Sequence, residues 1–512
     1  MRSIRNLHRL FTIARVLARH DALSLLEEQL PITRLFTTFM RGGRPAVAEG
    51  RPGQRLAAAL IELGPTFIKL GQALSTRADL LGEEMAADLS ELQDRLAPFP
   101  AEQARAIIEA ELGQPISQLY ASFDDTPVAA ASIAQVHFAV TAEGREVAVK
   151  VLRPDVDKAF ARDIDMLAWL AEWAEITQPR LRRLKPVASV RTFEDSVTLE
   201  MDLRFEAAAA AELAENFRGD DSFQVPEVDW VRTARRVMTL ERVHGTPVDE
   251  RDALVAAGHD PDAILAKAAE AFFNQVFRDG FFHADMHPGN LFVDKDGNLV
   301  AVDFGIMGRV DKRTRRFLGE MLIGFLSGDY RRVAEVHFEA GYVPADKSVD
   351  AFTQATRSIA EPIMGRAMHE ISIAKLLGQL FQVTETFAME TQPQLLLLQK
   401  SMLVAEGVGR ILDPRVNMWE LARPLIESWM RENLGPEARI KAAVSTMAGS
   451  IERLPRLLHQ TEKTYSMLVS GGLKLHPDTV KDLVSARRRQ GIFPAWVPWA
   501  LAAVLAYMLL RG

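Results

Sequence analysis

Apolar side chains recur every three or four positions through much of the first hundred or so residues. Gln54–Leu63, Thr66–Ser75, Gly82–Leu92 and Ala101–Leu112 carry this helical spacing, with Gly and Pro between them. From Val128 the period changes. Ser132–Val140 and Glu146–Leu152 alternate or run apolar, as strands do, and Ala142-Glu143-Gly144 makes the turn between them. Helical spacing returns over Val156–Glu175 and over an Ala- and Glu-rich stretch, Thr192–Asn216. Val237–Val243 reads as a strand that stops at His244-Gly245. Beyond it the pattern is nearly all helix, except for a hairpin at 291–303. The expected class is α+β: a helical extension, a small β-rich lobe and a larger helical lobe.

The two ends differ from the body. MRSIRNLHRLFTIARVLARH is basic and amphipathic, and it lacks the continuous apolar core and cleavage site of a signal peptide. As a helix it groups Ile4, Leu7, Leu10, Phe11, Ala14 and Leu17 on one side. Such a helix suits either an anionic membrane surface or the protein's own core. Near the C-terminus, Ile492 to Leu510 runs nineteen residues without a charge, about enough to span a bilayer. Trp496, Trp499 and Tyr507 lie near its ends, and Arg487-Arg488-Arg489 precede it. The expectation is a single C-terminal transmembrane anchor, with the arginine flank and the body of the chain on the cytoplasmic side.

Composition narrows the chemistry. The chain has 512 residues, a net charge of −7 and no cysteine. Disulfides, thiolate metal sites, Fe–S clusters and cysteine nucleophiles are excluded. The acidic balance argues against nucleic acid as a partner.

Residues 283 to 305 read HADMHPGNLFVDKDGNLVAVDFG and carry the sharpest functional signal. Asp285 and Asn290 stand five positions apart, and Asp303 opens an Asp-Phe-Gly eighteen positions after Asp285. A kinase active site has this layout: a catalytic-loop Asp, a metal-binding Asn and a metal-binding Asp. Mg²⁺ on a triphosphate needs hard oxygen ligands, which Asn290 and Asp303 offer, leaving Asp285 to orient or deprotonate a nucleophile. A zinc site on His283 and His287 would need a helix through both, and Pro288-Gly289 follows at once. His283 is expected to brace the loop against Phe304.

Lys150 ends the strand Glu-Val-Ala-Val-Lys, and its charge must find a partner. In kinases the equivalent Lys holds the α- and β-phosphates of ATP and pairs with a helix Glu. The phosphate-covering loop should lie just before it, yet Val128-Ala-Ala-Ala-Ser-Ile-Ala has no glycine. Alanine keeps a Cβ, so nucleotide grip should differ from that of a protein kinase. The hinge for an adenine edge is expected at Leu240-Glu241-Arg242-Val243, with Glu241 at its centre.

With these motifs the chain resembles the UbiB family of atypical kinase-like proteins, the AarF/ADCK group. The resemblance rests on Lys69-Leu70-Gly71-Gln72, on Ala129-Ala130-Ala131-Ser132, on Glu200-Met201-Asp202 followed by Glu206-Ala207, and on the 283–305 block, and it covers roughly residues 60 to 340. It implies that Lys150 binds nucleotide phosphates and pairs with Glu206, that Asn290 and Asp303 bind Mg²⁺, and that Asp285 is the catalytic acid. It further implies that Lys69 and Gln72 fold over the active site, where Glu200 and Asp202 meet them, and that this cover blocks a protein-substrate groove. Taken alone, Lys69–Gln72 also suits a helix end with Gly71 as its cap, and the three acids suit a solvated face. The anchor is also similar to that of bacterial members, although those often carry two spans.

The expected plan is therefore a helical extension over residues 1–115, a kinase-like N-lobe over 116–243, a C-lobe over 244–440, a juxtamembrane helical region over 441–490 and an anchor over 491–512. After DFG the chain passes Ile306–Val310 and Asp311 and goes straight into a helix, without the A-P-E and activation segment that dock peptides. The resemblance implies an ATPase using ATP or ADP with Mg²⁺, required for ubiquinone biosynthesis. Its partners would be a lipid or prenylphenol-type substrate, the membrane and other enzymes of that pathway. Two other readings stand beside it. One is a non-catalytic nucleotide-sensing scaffold. The other is the family's historical label, 2-polyprenylphenol 6-hydroxylase, for which no flavin fingerprint or iron triad is found. The Met- and Leu-rich segment 345–480, with its Gln394-Leu-Leu-Leu-Leu-Gln, suits either core or a lipid-facing groove, and core is the simpler reading.

Overall fold

The computed structural model describes residues 2–22, 50–75, 81–90, 92, 96–177, 185–362, most of 379–413, 424–429 and 431. The chain forms two units, Met1–Arg431 and Glu432–Gly512, and the second lies outside the described residues. The expected juxtamembrane region and the apolar segment 492–510 fall there too. Among the described residues no helix is long and apolar enough to cross a membrane.

The N-terminal extension comprises α1 (Arg2–Arg19), α2 (Pro52–Leu63), α3 (Pro65–Ser75) and α4 (Glu83–Ser90). Its core joins Ile13, Val16, Leu60, Phe67, Ile68 and Leu89 to Met166 of a later helix. Helix α1 packs on the protein's own body. Arg9 makes a two-pronged ion pair with buried Asp163, both contacts 2.8 Å, and Arg5 reaches Asp165 at 2.6 Å. The buried side holds Ile13 and Val16, while Leu7 and Phe11 remain about half exposed. Gly71 lies buried inside α3 and caps nothing. A Cβ there would come within 2.5 Å of Leu92 Cδ1 and 2.7 Å of Leu60 Cδ1, so its small size lets α3 nest between them.

Helix α5 (Ala101–Leu112) leads into an antiparallel sheet built from β1 (Tyr120–Phe123), β2 (Ala129–Ala130), β3 (Ala134–Thr141), β4 (Glu146–Leu152) and, later in the chain, β6 (Val237–Glu241). The period of two sorts β4. Val147, Val149 and Val151 face the α5 side with Ile107 and Ile108, which sends Lys150 to the opposite face. Helix α6 (Val156–Thr177) follows, and then a departure from the sequence reading. Thr192–Asn216 is not one helix but parts of two, α7 (Pro186–Glu200) and α8 (Leu203–Asn216). At the break Asp202 is extended, and its carboxylate accepts from the Arg204 N–H, capping α8.

The larger lobe holds α9 (Arg251–Ala256) and α10 (Pro261–Phe273), with a π-helical turn at Asn274–Asp279. It continues through α11 (Lys312–Ser327), α12 (Tyr330–Glu339), α13 (Val349–Ala360) and α14 (Pro393–Leu412). Between α10 and α11 come short strands: β8 (Phe281–His283), β9 (Leu291–Val293), β10 (Leu299–Ala301) and β11 (Met307–Arg309). The hairpin β9–β10 is joined by β5 (Phe223–Gln224), parallel to β10, and by β7 (Thr246–Pro247), antiparallel to β9. One large core runs from Ile133 and Leu152 through α8 and α10 to Leu398, Val408 and Leu412 of α14. Of the leucine run, Leu398 is buried in this core and Leu397 packs against it partly buried.

Candidate functional site

Lys150, projected off the apolar face of β4, meets two carboxylates. Its Nζ lies 2.6 Å from Glu206 Oε1 and 3.4 Å from Asp303 Oδ2. Glu206 is in the first turn of α8, so the cap at Asp202 fixes where it stands. Burial opposes the charge on Lys150, but Asp303 and Glu206 outweigh it and raise the ammonium above its ordinary value. Burial also opposes the charge on Asp303. Lys150, the Gly305 N–H and Lys69 overcome this and hold that carboxyl at about 2. Glu206 moves the other way. Burial exceeds the pull of Lys150, and the neighbouring Asp303 charge adds to it, so Glu206 sits above the usual carboxylate range. One ammonium thus serves two acids, the nearer buried and the farther open to the cleft. Asp303 is 45% exposed and Glu206 is 9% exposed.

The catalytic-loop region is braced from inside. His283 is buried on β8 and has both ring nitrogens engaged: Nδ1 accepts from the Asp285 N–H at 3.1 Å, and Nε2 donates to the Asp303 carbonyl. Its ring meets Phe304 edge-on at 5.7 Å, the expected brace. Burial lowers its pKa, so the neutral tautomer that this pattern requires is also the favoured one. Exposed His287 caps the next turn through Gly289 N–H, at 3.2 Å. Asn290 Nδ2 donates to the Asp285 carbonyl at 3.2 Å. The hard oxygens of Asn290 and ionised Asp303 suit Mg²⁺, which usually binds through one or two protein ligands together with substrate phosphates. Among the described residues no cluster of three or more acidic, His or Cys side chains makes a metal cage.

The segment after DFG is short and fixed. Strand β11 pairs antiparallel with β8, Ala284 N–H donates to Ile306 O at 2.9 Å, and Val310 N–H donates to Gly280 O at 2.9 Å. Asp311 then caps α11. No stretch is left for an activation loop between Gly305 and α11.

Of the four residues expected in the cover, Lys69 and Glu200 meet. Lys69 Nζ pairs with Glu200 Oε2 at 2.8 Å, both largely buried, and its charge reaches Asp303. Asp202 does not join that contact; it caps α8 and holds Arg204 through contacts of 2.8 and 2.6 Å. Gln72 is half-buried on α3, and its carbonyl accepts from Ser75 Oγ at 2.7 Å. The alanine-rich loop is pinned rather than free. Arg153 donates twice to the Ala131 carbonyl, at 3.0 and 2.8 Å, and Leu96 N–H donates to Ala130 O at 3.3 Å. Ala129 and Ala130 form β2, and Ser132 is fully buried. At the expected hinge the Glu241 N–H already donates to Glu227 O and the Arg242 N–H to Glu146 O. An adenine edge there would not use those two groups.

The sequence reading missed Lys400. From α14 its Nζ reaches Asp285 Oδ1 at 3.0 Å across 115 residues of sequence. The signal available was a lysine ending a leucine run on a helix, which by pattern alone is an ordinary core flank.

Comparisons with known proteins bear on the family. Residues 91–337 match the model of the ABC1 atypical kinase-like domain, and residues 356–417 match that of the UbiB helical domain. A protein named "Probable protein kinase UbiB" from Marinobacter nauticus is 42% identical over 465 residues, 88% of this chain and 84% of its own. A protein of the same name from Pseudomonas entomophila is 40% identical over 514 residues, 98% of this chain and 93% of its own. The solved complex of Rv3197 with erythromycin, from Mycobacterium tuberculosis, aligns with 79% of this chain and 98% of its own at 25% identity and a TM-score of 0.49.

Proposed function

The chain belongs to the UbiB family of ABC1 atypical kinase-like proteins, and from its site we propose a nucleotide-dependent phosphotransferase or ATPase that serves ubiquinone biosynthesis. The observation that carries the reading is the Lys150–Glu206–Asp303 cluster beside Asp285 and Asn290. Lys150 holds the α- and β-phosphates of ATP or ADP. Asn290 and Asp303 would hold Mg²⁺, which would neutralise phosphate charge when bound. Asp285 orients the acceptor, water or hydroxyl, and takes its proton. His283 keeps Asp285 and Asp303 in register.

The acceptor we propose is small or lipidic, a prenylphenol-type precursor, rather than a peptide. Supporting this are the Lys69–Glu200 contact beside the site and the absence of an activation segment between Gly305 and α11. The apolar run 492–510 supports attachment to the bacterial inner membrane by a single span, near other enzymes of the same pathway.

Thermal melting of the full chain with Mg²⁺-ATP and Mg²⁺-ADP tests the site. Ligand at a hundred times its Kd stabilises the fold by about 2.7 kcal/mol. The shift should vanish in Lys150→Ala and Asp303→Asn. No shift in folded wild type with any nucleotide would end the kinase-like reading. Binding without any turnover, with or without prenylphenol or lipid, would leave a nucleotide-sensing scaffold.

A further inference from the structure

We propose that Lys400, delivered from helix α14, is the cation that meets the γ-phosphate during phosphoryl transfer, so that the helical region after the kinase-like lobe completes the active site. This rests on the nucleotide-dependent function proposed above. Transfer forms a bond from the acceptor oxygen to the γ-phosphorus and breaks the bond to the β–γ bridging oxygen. The electron pair leaves with ADP, and the acceptor's proton goes to Asp285. Negative charge on the transferring group needs a positioned counter-charge. Lys150 pairs with Glu206 and Asp303 and is assigned to the α- and β-phosphates, not to the γ-phosphate. From Phe281 to Gly308 the sequence holds one lysine or arginine, Lys295, at the hairpin turn and exposed. The catalytic loop therefore brings no cation of its own.

Lys400 supplies one at the right place. Its Nζ is 3.0 Å from the carboxylate that faces the acceptor. Both partners are about a third exposed, 32% and 35%, so the pair lies at a solvent-reachable cleft and not in a sealed core. The helix beneath it is fixed: Leu398, Val408 and Leu412 are buried in the main core, and Arg251 Nε donates to the Leu412 carbonyl at 2.9 Å. A rigid base and a flexible four-carbon stem let the ammonium pivot between Asp285 and a phosphate oxygen.

The test compares Mg²⁺-ATP with Mg²⁺-ADP binding in wild type, Lys400→Gln, Lys400→Arg and Lys150→Ala. Ion pairs this exposed contribute little to stability, so the Lys400 variants should fold, and melting without nucleotide checks that. Lys400→Gln should weaken ATP about tenfold and leave ADP unchanged, while Lys400→Arg keeps most of the ATP affinity and Lys150→Ala loses both. Where turnover is measurable, Lys400→Gln should lower kcat about 100-fold or more. Wild type that binds nucleotide while Lys400→Gln matches it with both would overturn the role of Lys400 alone. Wild type that binds neither nucleotide would overturn the proposed function, and this inference with it.

Discussion

Lys69 of α3 and Glu200 at the end of α7 close a 2.8 Å ion pair beside the DFG carboxylate, 131 residues apart in the chain. The pair ties the N-terminal extension to the helix that precedes Glu206. Both side chains are mostly buried, 11% and 20% exposed, so removing one partner leaves the other poorly solvated. A double-mutant cycle of Lys69→Met and Glu200→Gln should return a coupling of about 1–2 kcal/mol. Either single variant should also speed amide exchange in α3. Additive effects would mean that the contact does not hold the cover.

Asp285→Asn should separate binding from chemistry. The Mg²⁺-ADP melting shift should persist, because Lys150, Asn290 and Asp303 are untouched. Turnover should fall about 100-fold or more, the usual range for a lost proton acceptor. Lost binding would place Asp285 among the nucleotide ligands.

His283 gives a pH dependence. Its folded pKa lies below the ordinary 6.5, so the unfolded chain takes up the proton more readily. Stability from the neutral ring is full above about 6.5 and is lost as pH falls below it. Urea midpoints at pH 7.5 and pH 5.5, in wild type and His283→Gln, check this. The variant should be weaker at the higher pH and should lose less on acidification. Equal losses would mean that the ring titrates freely.

Gly280 sits in the left-handed region, φ 69°, between the π-helical turn and β8. A Cβ there would collide with the Val310 carbonyl oxygen and come within 2.9 Å of Arg315 Nε. Gly280→Ala should cost about 3 kcal/mol, combining backbone strain with overpacking. The check is a lowered urea midpoint at constant slope.

Much of this site was legible in the sequence because its chemistry is carried by short spacings. Asp285, Asn290 and Asp303 flank one short hairpin, β9–β10, and Lys150 follows from alternation along β4. The pairing of Lys150 with Glu206, and the place of Lys69, came from the family resemblance; the residues alone read Glu206 as a solvated face and Lys69 as part of a helix end. The break at Asp202 was hidden because alanine and glutamate favour helix on both sides, while the cap acts through one carboxylate. Strands such as β5, β7, β8 and β11 are two or three residues long, too short for a period to register. Lys400 was unreadable for another reason. Its partner is 115 positions away, and an apolar repeat tells which face is buried but not what its flank will meet.

The strand after DFG has a pharmacological consequence. Phe304 is 1% exposed, the Asp303 carbonyl is held by His283, and Ile306 and Val310 are bonded to the residues on either side of β8. Swinging the phenylalanine outward would break these contacts together. An inhibitor that recognises only the flipped-out form has its affinity divided by the small fraction of molecules in that form. Compounds of that class should bind this chain far more weakly than those that occupy the nucleotide pocket with Phe304 in place. Competition of both classes against a fluorescent nucleotide would measure the difference, and equal potency would show that the flipped form is well populated.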